Sequence, residues 1–241
     1  MILTAHQPVY LPWLGLFHKI ALADSFVSFN QVQYQSKDWN NRNKIKTPQG
    51  ALWLSVPVKK KGRLERLYTD IEIDNETPWS RKHWGSLKGA YSKSRHFKKY
   101  ADFFEDTYNN REFRTLVELN EYMLEWFIDQ LGIKVKTTTM DKHCFSGKKS
   151  GLVLDMCQKM GANHYIFGEQ GRDYANIDEF KASGVVPHFQ SYSHPTYPQL
   201  HGPFISHLSI VDLLFNHGED SLDILMSGNI DRSQLLQDIQ A

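Results

Sequence analysis

The first 34 residues constrain the fold more than any other stretch of the chain. Met1 to His6 is a short apolar run closed by the polar pair His6-Gln7, the pattern of a buried strand that delivers its C-terminal end to a crevice. Pro8 stops it. Beyond Pro8, Pro12 suits the first turn of a helix, and Leu14, Phe17, Ile20 and Ala21 recur at helical spacing, which predicts about three turns. The run SFVSFNQVQY then alternates β-branched and aromatic side chains with polar ones, as a second strand does. A strand–helix–strand opening of this kind favours an open, largely parallel sheet.

The following segment changes character. KDWNNRNKIK has the composition of a polar loop, Pro48-Gln49-Gly50 of a turn, and Ala51 to Val58 of a strand. Lys59, Lys60, Lys61, Arg63 and Arg66 form a basic connection that reads as a solvated turn. YTDIEID alternates as a strand, and a helix is expected after it, with Thr77 as N-cap and Pro78 at its first position. From Lys98 to Gly132 the chain reads as mostly helical, with Leu116, Leu119, Met123, Trp126 or Phe127, and Leu131 as its apolar stripe. Strand-like IKVKTTT, a loop at Ser146 to Gly151, the helix LVLDMCQKMG and the strand HYIFG restore the alternation. The last third is irregular up to a helix from Pro203 to Gly218. The expectation is an α/β, Rossmann-like chain, 1–241 as a single domain, with 78–132 as a helical subdomain or lid.

Composition excludes several classes. With 241 residues and 41% hydrophobic content the chain supports a substantial core, so disorder is set aside. Lys+Arg 28 against Asp+Glu 27 leaves a net charge of +1, so no global field draws the protein to nucleic acid. Two cysteines, Cys144 and Cys157, and no charged-then-apolar leader point to a reduced, cytoplasmic protein. The longest apolar stretches are about half of what a bilayer span requires, so no membrane span is expected.

Four constellations could carry chemistry. His6-Gln7 with Tyr10 and Trp13 sits where a parallel strand meets its helix, the edge at which open α/β sheets bind ligands and a helix N-terminus favours anions. The plain alternative has His6 satisfying a buried carbonyl, with Tyr10 and Trp13 in the core. Trp39, Asn40, Asn41, Arg42 and Asn43, backed by Lys44 and Lys46, combine amides with a guanidinium fork for phosphate or carboxylate; the alternative is a solvated loop. Gly168-Glu169-Gln170-Gly171-Arg172-Asp173-Tyr174 follows a strand, but without the spacing of a phosphate loop. Around the last helix lie His201, His207, Ser209 and Asp212, with Ser209, Asp212 and Asn216 as a polar stripe. An acid inside SIVDLLF needs a partner, expected to be Arg42, Arg172 or a histidine. Spacing suggests no metal site, and both cysteines read as ordinary. Sheet topology predicts that His6, Arg42, Asp173, His201 and Asp212 line one pocket with Trp39 and Tyr10 as its walls.

The ordered blocks HQPVYLPWLGLFHKIALADSF, WNNRNKIK, ALWLSVPV, KHW, YIFGEQGRDY and FISHLSIVDLLFNHG resemble the WbqC-like family from residue 1 to about 218. That family occurs in bacterial surface-polysaccharide (O-antigen) clusters and has been suggested to include a glycine transferase acting on an amino sugar. Carried over position by position, the resemblance implies functional roles for His6, Gln7, Trp39, Asn41, Arg42, Gly168, Asp173, His201 and Asp212. The chain departs from the pattern at Glu169-Gln170 and Arg172, which puts substrate contacts there in question. The opening unit is also similar to that of nucleotidyltransferases and class I aminoacyl-tRNA synthetases, yet Tyr10-Leu11-Pro12-Trp13 stands where their H-x-G-H pair would be.

These resemblances imply an enzyme that transfers an acyl or aminoacyl group, glycyl among the candidates, onto the amino group of a nucleotide-linked sugar. His6 or His201 would be the base, with Asp212 orienting it. Gln7, Tyr10, Trp39, Asn41, Arg42, Gly168, Gln170 and Asp173 would bind substrate. No cofactor is specified. The acyl donor stays open among a thioester, an aminoacyl-tRNA and an ATP-activated amino acid, and general nucleic-acid binding is not expected. The rival reading is a non-catalytic module that binds a sugar nucleotide or a polyanion.

Overall fold

Five parallel strands form the central sheet of the computed structural model, which describes residues 1–35, 38–59 and 66–240. In chain order the strands of the protein are β1 (Ile2–His6), β2 (Ser25–Ser28), β3 (Arg42–Thr47), β4 (Gly50–Ser55), β5 (Lys136–Thr139), β6 (His164–Phe167) and β7 (Val186–Phe189). The helices are α1 (Leu14–Ala21), α2 (Trp79–Tyr91), α3 (Phe97–Glu105), α4 (Leu116–Gln130), α5 (Ser150–Met160), α6 (Ile177–Ala182), α7 (Ile210–His217), α8 (Ser221–Met226) and α9 (Arg232–Gln240). The sheet runs β5-β2-β1-β6-β7, all parallel, while β3 and β4 pair separately as an antiparallel hairpin. The chain moves outward from β1 through β2 to β5, then returns to the other side of β1 for β6 and β7. The turning point of that path lies between β1 and β6, where a Rossmann-like sheet opens a crevice beyond its strand ends.

Alternation along the strands sorts the helices onto two faces. Leu3, Ala5, Val27, Tyr165 and Phe167 point to the face covered by α5 and α6, where they pack with Val153, Met156, Cys157 and Phe180. Phe26 points the other way, into a large apolar cluster with Phe17 and Ile20 of α1, Leu119, Met123 and Phe127 of α4, and Leu214 and Phe215 of α7. The same cluster takes in Ile45 and Leu54 of the hairpin and Trp84 and Leu87 of α2. Residues 78–132 hold α2, α3, a π-helical turn at Asp106–Asn110 and α4, which starts with a Thr115–Glu118 capping box. Phe127, fully buried, completes the α4 stripe.

Several sequence expectations are corrected. The helix α1 has eight residues, shorter than the predicted three turns, because Trp13 stays extended in a bridge to Ser209 and the Pro12 carbonyl accepts from Ile210 N–H. The strand β2 stops at Ser28, the last residue paired with both β1 and β5. The supposed polar loop at 37–46 contains β3: Arg42, Lys44 and Lys46 alternate with Asn43, Ile45 and Thr47 and pair with β4 from Arg42–Ser55 to Thr47–Gly50. YTDIEID forms a 3-10 turn at Tyr68–Asp70 and isolated bridges instead of a strand. Pro78, not Thr77, is the N-cap of α2.

The helix expected from Pro203 is α7 and starts at Ile210, because Ser209 caps it through Val211 N–H while the Pro203 carbonyl is occupied by Lys46; α8 and α9 follow it. The irregular last third also holds α6 and β7. Pro187 had argued for a loop, but β7 is an edge strand, which tolerates a residue without an N–H. Of the basic connection, Lys60, Lys61 and Arg63 lie outside the described residues, while Lys59 pairs with Glu72 at 2.7 Å. Among the described residues no helix is long and apolar enough to cross a membrane.

Candidate active site

A crevice of about 380 Å³ lies beyond the ends of β1 and β6. Its floor is His6 of β1 and its inner wall is Trp13 with Gly15, Leu16 and Lys19 of α1. The turn after β6 contributes Gly168, Glu169 and Gln170, and Trp39, Gln190, Tyr192 and His207 close the mouth. The walls combine aromatic rings with a few convergent polar groups, the make-up of a small-ligand site.

The polar floor is built by the backbone. His6 Nδ1 lies 2.7 Å from the Gln7 carbonyl oxygen. A carbonyl only accepts, so Nδ1 carries the proton and Nε2 keeps a lone pair. Burial, followed by the nearby Lys19 charge, lowers the His6 pKa to about 4, against the opposing pull of the Gln7 carbonyl, so the ring is neutral at pH 7. Lys19 is only 3% exposed, and its ammonium donates to the Ala5 carbonyl at 2.9 Å. Burial lowers its pKa to about 7.

The rim is held by close packing. Trp13 precedes α1 and offers no side-chain cap to the helix. Its ring folds over Gly15, where a Cβ would come within 2.3 Å of it. Tyr192 meets the same indole edge-on at 5.5 Å and His207 stacks on it at 6.2 Å. Gln190 bonds the Gly15 carbonyl and His18 through Nε2, tying the segment after β7 to α1. Leu11 and His207 both hold positive φ, 45° and 57°, an uncommon conformation for side chains of their size.

This arrangement brings together only some of the expected residues. His6, Trp39, Gly168 and Gln170 line the crevice, whereas Tyr10, Asn41, Arg42, Asp173, His201 and Asp212 do not. Tyr10 is fully buried and bonds His83 Nδ1 at 2.7 Å and the Tyr108 hydroxyl, so it is a core residue rather than a wall. Gln7 Oε1 accepts from Asn40 Nδ2 at 3.3 Å, and Asn41 Nδ2 donates to the Val56 carbonyl at 2.8 Å. Arg42 begins β3 and its guanidinium lies 4.8 Å from the centre of the Trp53 ring. Asp173 is exposed at the end of the turn after β6, and Arg172 stacks on Phe189. His201 bonds the Ala90 carbonyl at 2.8 Å.

Asp212 finds different partners from those expected. Its carboxylate accepts from the Tyr91 hydroxyl at 2.9 Å and from Gln199 Nε2 at 2.8 Å, with Lys46 reaching Gln199 Oε1 beside them. Burial raises its pKa against those hydrogen bonds. The network joins α7, α2, β3 and the segment before α7. Convergence of five residues therefore fails for four of them, because β3 folds into the hairpin, Asp212 turns to Tyr91 of α2, His201 turns to the Ala90 carbonyl and Asp173 is exposed.

The matched sequence supports the same picture of one continuous chain. The WbqC-like protein family matches residues 7–224, which hold the Asp212 network and every crevice-lining residue except His6, one position before the match. The chain belongs to this family. A relative of this WbqC-like chain is "Uncharacterized protein Rv1507c" of Mycobacterium tuberculosis (strain ATCC 25618 / H37Rv), 34% identical over 220 residues, 91% of this chain and 95% of the relative. No solved structure matches the chain. Sequence reasoning missed Lys19, Gly15, Gln190 and Tyr192. Lys19 carried a legible signal, since it stands between the apolar positions Phe17, Ile20 and Ala21 of a short helix read as buried.

Proposed function

We propose that this WbqC-like protein is an amide-forming acyl or aminoacyl transferase, glycyl transfer included, acting on the amino group of a nucleotide-linked sugar in surface-polysaccharide (O-antigen) assembly. The observation that carries this reading is the neutral His6 imidazole, whose Nε2 keeps its lone pair in this tautomer, in a polar crevice at the turning point of the sheet. An amine attacks a carbonyl only after losing a proton, so amide formation needs a base at that place. The sugar nitrogen forms the new C–N bond, its proton passes to His6 Nε2, and the bond to the donor's leaving group breaks with its electron pair going to that group. Trp39 on the rim, 42% exposed and paired with Trp53 at 5.4 Å, offers a ring face to a sugar.

Mass analysis of products from a nucleotide-linked amino sugar incubated with thioester, aminoacyl-tRNA and ATP-plus-amino-acid donors tests the reading. A gain of the acyl mass on the sugar is expected with one donor class. Ligand-induced stabilisation with no mass gain from any of them would replace the transferase by a binding module. In the active combination, His6→Gln lowers kcat by about 10²- to 10⁴-fold with little change in Tm. Wild-type turnover in that variant removes His6 as the base.

A further inference from the structure

Lys19 presents an unusual balance of burial and partners. Its side chain is inside the protein, it lines the crevice, and its hydrogen bond in the described structure goes to a neutral group, the Ala5 carbonyl. Among the described residues no carboxylate lies within 4 Å of its nitrogen. A buried ammonium without a counter-ion is costly, so the group is pushed toward its neutral form unless a ligand supplies the missing charge. Three N–H donors are available and one carbonyl uses one of them.

The surroundings point the same way. The first turn of α1 lines the crevice through Gly15 and Leu16 and has no side-chain cap, and Lys19 joins the same lining from the last turn. The groups facing Lys19 across the crevice are His6 from β1, Glu169 from the turn after β6, and His207 from the segment before α7; His18 precedes it on α1 and bonds Gln190. Glu169 is exposed and makes no ion pair with Lys19.

We propose that Lys19 binds an oxyanion of the ligand, a phosphate or a carboxylate, and that this ion pair fixes the ligand in the crevice beside His6. The inference rests on the crevice being the substrate site and names the anionic group recognised there; it does not depend on which reaction follows. It also bears on His6. Neutralising Lys19 removes one of the two influences that hold the imidazole pKa down, so an anionic ligand makes the base stronger on arrival.

Because the free lysine titrates at about pH 7, pairing it with an anion must take up a proton above that pH. The test is calorimetry of the full chain with dimethyl phosphate, a diester that does not itself titrate in this range, and, separately, acetate at pH 6 and pH 8, each in two buffers of different ionisation enthalpy. With at least one of the two probes, close to one proton is expected to be taken up per anion at pH 8. The uptake from Lys19 falls toward zero at pH 6. Preference for dimethyl phosphate assigns the site to a phosphate and preference for acetate to a carboxylate.

Lys19→Met is expected to weaken binding at least tenfold and to abolish the uptake at pH 8, with an unchanged or higher Tm in the absence of ligand. Lys19→Arg keeps binding but takes up no proton at pH 8. Wild-type affinity and uptake in Lys19→Met overturn the proposal, as does a wild-type protein that binds neither anion. Should Lys19→Met fail to fold, the wild-type protein decides: binding at pH 8 without uptake overturns it. Anion binding without any acyl transfer refutes the transferase reading and leaves the Lys19 assignment standing.

Discussion

At the scale of single residues, two buried ionisable groups look alike in sequence and do opposite work. Asp212 lies among apolar residues of α7 and Lys19 among those of α1. Asp212 is fully satisfied by Tyr91 and Gln199, whereas Lys19 has a carbonyl and the crevice. Asp212→Asn should therefore behave as a scaffold change: the new NH2 opposes the Gln199 donor or leaves the Tyr91 hydroxyl unpaired, costing about 1–3 kcal/mol. Denaturant unfolding measures that loss, and turnover is expected to stay within a few-fold of wild type. A drop in kcat comparable to that of His6→Gln would return Asp212 to the reaction. Sequence could say that each residue needed a partner. It could not say which, because Gln199 is thirteen positions from Asp212 and Tyr91 more than a hundred, and only the packing of α7 on α2 brings them together.

At the scale of elements, α1 couples the sheet to the site. Gly15 is glycine because the Trp13 indole occupies the space a methyl group would need. Gly15→Ala gains about 1 kcal/mol in helix propensity and pushes the half-buried indole outward, so the two effects offset in stability. Binding does not share that cancellation, since Trp13 carries Tyr192 and His207 with it. The expected result is a near-wild-type Tm with a KM raised several-fold; an unchanged KM means that the Trp13 wall does not shape the site. Gly171 offers a contrast. A Cβ there meets Phe167 Cβ at 2.5 Å, and that phenyl is fully buried and cannot move aside, so Gly171→Ala should cost about 1–3 kcal/mol as well. Thermal melts of the two glycine variants separate these cases.

Element type was legible in the sequence where one period dominated, as in β1, β2, α4, α5 and β6. It was not legible in β3, where lysine and asparagine conceal a period of two, or in β7, where Pro187 is allowed only by an edge position that sequence does not reveal. The position of the crevice was legible for the same reason as the sheet. A polar pair after an apolar strand and glycines after another mark two strand ends, and adjacency of β1 and β6 makes them one crevice.

For the whole molecule, stability against pH reports how many buried bases the fold carries uncharged. His6 and His83 are both held near pKa 4 by burial, against an unfolded value of 6.5. In the interior His83 accepts from Tyr10 at Nδ1, so protonation also breaks a buried hydrogen bond. For a depressed pKa the stabilisation is complete above the unfolded value and is lost as pH falls through the folded one. The acid window for both histidines is therefore pH 6.5 down to 4. At ~1.4 kcal/mol per pH unit, each contributes about 3 kcal/mol across it, a large share of the 5–15 kcal/mol typical of a domain.

Lys19 adds a second window with the same sign, from 10.5 down to about 7, so the ligand-free protein gains stability as pH rises from 7 toward 10. Lys19→Met flattens that alkaline limb and leaves the acid limb in place, while His6→Gln reduces the acid limb alone. Urea midpoints measured for the three proteins between pH 4 and 10 provide the check. An alkaline limb equally steep in Lys19→Met shows that the lysine is not the group titrating there, whatever the fate of the acid limb.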